Sequence, residues 1–169
     1  MTDGPTNQAW LLEPTEHRDL VRGLAESLVE QLEPDELAVF DETAEEYFAD
    51  PQAVLDPRRR DEAVGFGIDA ELLTPIVLAV AGPVVEYLTA VVVEATGEGI
   101  KPTLVRMVRR LLRLEDAGGA PTPEPPELTQ KQIEHVRSIA YARACDVGLT
   151  KDRARLLADA VAGGVRIGS

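Results

Sequence analysis

The chain has 169 residues, 44% of them hydrophobic, which suits one folded domain with or without a small appendage and excludes global disorder. Aromatic residues make up only 4%, so the core has to be built from Leu, Val, Ile and Ala, a composition that favours helix packing on helix. A net charge of −13 argues against nucleic acid and anionic lipid as targets of the bulk surface, and a single cysteine, Cys145, excludes an internal disulfide.

The charge is unevenly distributed. Residues 1–56 carry fifteen acids against Arg18 and Arg22, while the remainder is close to neutral. That first third is expected to keep the protein in solution and to attract a basic partner surface. Fourteen arginines against Lys101, Lys131 and Lys151 suggest a GC-rich bacterial coding sequence. The opening MTDGPTNQAW has no basic stretch followed by an apolar one, so no secretory signal is expected and the default location is cytoplasmic.

Residues 1–12 read as a loose tail, with Trp10, Leu11 and Leu12 as a short anchor onto the body. Leu20, Leu24, Leu28 and Leu32 recur every four residues and predict a helix from about Pro14 to Leu32. Glu33-Pro34 ends it and opens a second helix to about Ala49, because proline is tolerated at a first helical position. Leu37, Phe40, Ala44, Tyr47 and Phe48 share one face of that helix; Asp41, Glu42, Glu45 and Glu46 share the other. The short connection predicts an antiparallel helical hairpin. Asp56-Pro57 predicts a short helix over 58–64, followed by a turn at Gly65-Phe66-Gly67. Asp69 is the candidate cap for what comes next.

Leu72 to Val93 is the longest apolar run, broken only by Glu86 and by Gly82-Pro83. As a helix of about 33 Å, at about 1.5 Å per residue, it is long enough to cross a hydrocarbon core. A carboxylate inside a membrane costs roughly 2.5–3.5 kcal/mol, and acids rather than bases flank both ends, so the expectation is a kinked central helix surrounded by others. Glu86 is expected at the rim of that helix, or else buried and paired with Arg58, Arg59 or Arg60. Gly97 and Gly99 stop the helix.

A fourth strong helix is predicted from about Lys101 to Glu115. Leu104, Val105, Met107, Val108, Leu111 and Leu112 form its apolar face, with Arg106, Arg109, Arg110 and Arg113 opposite. The acidic faces of the first two helices are the expected counterpart of those arginines, in the same chain or a second copy; plain solvent exposure and an external anionic ligand, such as an anionic membrane, are the alternatives. The Gly- and Pro-rich residues 117–126 read as a linker, dividing a helical bundle domain (1–116) from a C-terminal helical hairpin (127–169). Thr129-x-x-Gln132 opens the first helix of that hairpin as a capping box, Gly148 ends it, and Thr150 caps the second. Ile133, Val136, Leu156 and Leu157 are the apolar positions expected to dock it on the body, a second copy or a partner, because forty residues bury too little to stand alone.

Lys151, Arg153 and Arg155 lie where a helix-turn-helix would meet DNA, but Ala154 stands where a larger wedge is usual. His17 and His135 have no second metal-type ligand at helical spacing and read as surface residues, and Cys145 as a buried inert thiol. No cofactor or catalytic set is implied. The expected protein is all-α, non-enzymatic and an interaction, adaptor or structural protein that associates with itself through its helices. A membrane-associating protein using 72–93 and the arginine face, and a helix-turn-helix regulator, are the alternatives.

Overall fold

The computed structural model describes residues 12–56, 58, 72–97, 101–114 and 124–165. The described residues form seven α-helices and no strand: α1 (Pro14–Leu32), α2 (Leu37–Ala49), α3 (Pro51–Leu55), α4 (Thr74–Thr96), α5 (Lys101–Leu111), α6 (Gln130–Asp146) and α7 (Lys151–Gly164). The protein is all-α, as the apolar periodicities predict.

The apolar run is α4, and the bundle is built on it: α1, α2, α3, α5 and α6 all pack against this helix, and α7 lies on α6. Leu78, Val80, Val84, Val85, Leu88 and Val92 are fully buried. Each buried aliphatic side chain contributes roughly 1.5–3 kcal/mol of transfer free energy. Thr89 is also buried, and its hydroxyl donates to Val85 O at 2.7 Å, so burying it leaves no unpaired donor. The helix runs on through Pro83 and ends at Gly97, which takes φ 65°.

The first hairpin forms as expected. Arg22 bridges α1 to Asp41 of α2 at 2.6 Å, and Phe40 and Ala44 are buried while Asp41, Glu42, Glu45 and Glu46 face solvent. Two local details differ from expectation. Pro34–Glu36 is a 3-10 turn, and the α-helix starts only at Leu37. Asp50-Pro51 does not simply stop α2: the Asp50 carboxylate accepts from Ala53 N at 3.1 Å and starts α3, the role expected of Asp56-Pro57 six residues later. The helix predicted over 58–64, the Gly65–Gly67 turn, the Asp69 cap and Trp10 and Leu11 of the anchor lie outside the described residues, apart from Arg58. Leu12, the last residue of that anchor, is buried.

The cap on α4 comes from afar. Both oxygens of the Glu36 carboxylate reach its first turn: Oε1 accepts from Leu73 N at 2.7 Å, and Oε2 accepts from Thr74 N at 2.8 Å and from the Thr74 hydroxyl at 2.6 Å. Orphan amides at a helix N-terminus are favourable partners for an anion.

Helix α5 ends earlier than its sequence pattern. Arg113 adopts φ 56°, Leu114 N donates to Arg109 O at 2.9 Å and Arg113 N to Arg110 O at 3.2 Å, which is a Schellman closure with arginine in the left-handed position. Leu114 then folds back on α1, where a Cβ on Gly23 would lie 2.9 Å from its Cδ1. The same closure joins α6 to α7, with Leu149 N on Ala144 O and Gly148 N on Cys145 O, both at 3.0 Å, and Gly148 at φ 100°. A side chain in this region costs roughly 1–2 kcal/mol, offset in part by the entropy a glycine adds to the unfolded chain. Gly148→Ala should therefore lower stability by about 1 kcal/mol, whereas Arg113→Gly should raise it by about 0.5 kcal/mol. Urea denaturation of the two variants checks the opposite signs, and equal signs would refute this account of the closures.

Residues Thr129 and Gln132 form the predicted capping box, with Gln132 N donating to Thr129 Oγ1 at 3.2 Å and Thr129 N to Gln132 Oε1 at 2.9 Å. Thr150 holds the N-terminal position of α7, but its side chain makes no capping hydrogen bond. The hairpin α6–α7 docks within its own chain, through α6 on α4, and shares one contiguous apolar core with the other helices.

Candidate interaction surfaces

Three surfaces follow from this packing: the acidic outside of α1 and α2, the arginines at the end of α5, and the outside of the hairpin. The acidic surface is the most extended. Asp19, Glu26 and Glu30 of α1, Glu33 and Asp35 of the turn, and Asp41, Glu42, Glu45 and Glu46 of α2 are all exposed. Their apolar counterparts on the same helices are spent in the core. Val39, 41% exposed, lies among the acids of α2. Arg18 stands 5.1 Å from the centre of the Phe48 ring, and Arg22 is engaged by Asp41, so both bases of this region have a partner.

The arginine face is less regular than its spacing implies. Arg106 and Arg113 are exposed, while Arg109 and Arg110 are half-buried in the last turn of α5, where they favour the negative end of the helix dipole. The left-handed turn at Arg113 takes that residue out of the helix, so the four do not form one helical stripe. The reason is the Schellman closure, which has to begin before Leu114 to return it to α1.

Of the four apolar hairpin positions, Ile133, Val136 and Leu157 are buried in the core of this chain. They dock the hairpin in cis and present nothing to a second molecule in this arrangement. Leu156 is the exception, 63% exposed on the outside of α7. Around it the charges are mixed: Arg155 lies 3.9 Å from Asp152, and Asp159 binds Arg137 of α6 at 3.0 Å. Ala154 is fully buried where α7 leans on α6.

Glu86 is a rim residue. Its side chain is 54% exposed and its carboxylate lies 3.9 Å from His17 Nε2, which is itself buried without a hydrogen-bond partner. The alternative of a buried acid is thereby overturned: α4 turns this position outward, next to α1. Arg58 is exposed, and Arg59 and Arg60 lie outside the described residues. One residue on, the Tyr87 ring meets His135 of α6 with centroids 4.6 Å apart. Burial pushes the Tyr87 hydroxyl above its ordinary value of 10.0, and Glu94 adds to the shift. His135 is exposed, as expected; His17 is only half so. Cys145 is half-buried rather than buried, with the Tyr141 side chain hydrogen-bonded to it, which is the main cause of a raised Tyr141 pKa.

Among the described residues, no three His, Cys, Asp or Glu side chains are grouped as metal ligands. Helix α4 is long and apolar enough to cross a membrane, and 67% of its most apolar stretch is buried by the rest of the chain, as a core helix would be. Two residues that matter here escaped the sequence reading, Glu36 and Arg143. Each acts on α4 across 37 and 64 residues of chain, respectively, and no local pattern marks them. Compared with protein-family models, curated proteins and solved structures, the chain matches none.

Proposed function

We propose that the protein is a non-enzymatic helical interaction module that receives a basic partner on the acidic outside of α1 and α2. The observation that carries this reading is the one-sided exposure of acids there, around Val39, while the apolar faces of the same helices are consumed by the core. Complementary charge raises the encounter rate and selects the partner. A second copy offers exposed bases on separate helices, Arg106 on α5 and Lys151 and Arg155 on α7, and a contact through any of them would run head to tail. The net charge of −13 opposes self-association at low salt, so a different, basic protein fits better. The acidic surface and the lone cysteine suit a cytoplasmic setting. Insertion of α4 into lipid would require α1, α5 and α6 to leave it.

The test uses the full chain and a helical, Lys- and Arg-rich peptide of about 20 residues, enough for roughly five turns. Affinity is measured for the wild type, for the triple change Glu42→Lys, Glu45→Lys and Glu46→Lys, and for a control with Glu124, Glu127 and Glu134 changed to Lys. Both variants shift the net charge equally. The expected result is loss of binding in the first and retention in the second. Equal losses would mean diffuse charge attraction and would refute a docking face.

A further inference from the structure

Helix α4 carries a defect that another helix mends. Pro83 has no N–H, so the carbonyl four residues earlier, that of Ala79, loses its regular helical donor. Ala79 is 2% exposed, which keeps its carbonyl from ready repair by water. Arg143, near the end of α6, directs its Nε–H at that oxygen at 3.4 Å. The guanidinium is also close enough to Tyr47 of α2 to oppose the rise that burial causes in that tyrosine's pKa. One side chain from the hairpin thus addresses both the interrupted turn of the central helix and the helix beside it.

We propose that Pro83 and Arg143 form a register latch: proline opens one carbonyl on an otherwise uniform apolar helix, and only a hairpin docked at the right height can close it. An apolar seam by itself tolerates sliding by a turn, because Val, Leu and Ala recur along all of α4. A single unpaired acceptor removes that degeneracy, since every other docking position leaves it unsatisfied. This latch is independent of the interaction reading and stands or falls without it.

The experiment is a double-mutant cycle on the full chain, with Arg143→Met, Pro83→Ala and the two combined. Amide exchange of α6 is the readout. Arg143→Met should accelerate exchange of the α6 amides about tenfold, equivalent to one net hydrogen bond of about 1.4 kcal/mol. In the Pro83→Ala background the alanine N–H replaces the missing donor, and the same arginine change should accelerate exchange no more than about twofold, about 0.4 kcal/mol. Equal acceleration in both backgrounds would overturn the latch and leave Arg143 as a packing residue. A second measurement needs no proline variant. The carbonyl carbon resonance of Ala79 should move upfield in Arg143→Met, as for a lost hydrogen bond, and an unmoved resonance would equally overturn the proposal.

Discussion

Changing Val84 to Asp should abolish most of the native helical signal at room temperature. Val84 is fully buried on α4, inside the shared core. The substitution forfeits the transfer free energy of a buried valine, roughly 1.5 kcal/mol or more. It also leaves a carboxylate without a partner, for which breaking a buried pair is the nearest measured analogue, at about 3–5 kcal/mol. A loss of at least about 4 kcal/mol takes most of the stability of a domain at the low end of the usual range of roughly 5–15 kcal/mol, where a small, aromatic-poor core belongs. Circular dichroism and urea denaturation check this, with Val39→Asp as the control: Val39 is 41% exposed, and the change there should stay within about 0.5 kcal/mol. A folded, cooperative Val84→Asp protein would mean that α4 is not enclosed by its neighbours. The same burial means that a charge at Val84 or Val85 cannot separate a lipid-inserting helix from a core helix, because either protein would be damaged.

The second large effect is at Glu36. Its carboxylate accepts two backbone amides and one hydroxyl at the start of α4, and Leu73 and Thr74 are both buried. Hydrogen bonds to a charged group contribute roughly 1.5–3 kcal/mol each, and the three share one side chain and are not additive. Glu36→Ala should therefore cost about 3 kcal/mol in chemical denaturation, with an unchanged denaturant slope. Glu36→Gln keeps one acceptor oxygen and should fall between the two. The change acts on a residue that belongs to the first hairpin, but the amides that lose protection should be those at the start of α4. A cost below about 0.5 kcal/mol would show that water replaces the cap without penalty.

The elements were legible wherever structure is set within a few residues. The four-residue recurrence of Leu20 to Leu32, the Thr129–Gln132 box and the glycine at 148 each name their own local conformation. The end of α5 was not legible, because its left-handed position is taken by Arg113, where the usual glycine signal is missing. The start of α3 is legible in the sequence: Asp50-Pro51 has the same capping chemistry as Asp56-Pro57. What no window of sequence contains is the pairing of Glu36 with the start of α4, or of Arg143 with Ala79. Both depend on which helices become neighbours, and many charged residues compete for such roles on paper. The surface reading suffered similarly. Ile133, Val136 and Leu157 are apolar whether they face a partner or their own core, and only packing decides between the two.

The two histidines acquire a practical value from where they lie. They are the only two in the chain, and they touch adjacent residues of α4, His17 beside Glu86 from the α1 side and His135 against Tyr87 from the α6 side. In heavy water, once the amide protons have exchanged, their imidazole C–H signals stand out in a proton spectrum and need no isotope label. One resonance therefore watches the seam between α4 and the N-terminal hairpin, and the other, displaced by the tyrosine ring current, watches the seam between α4 and the C-terminal hairpin. A ligand that loosens one hairpin and spares the other would be visible as the movement of a single peak.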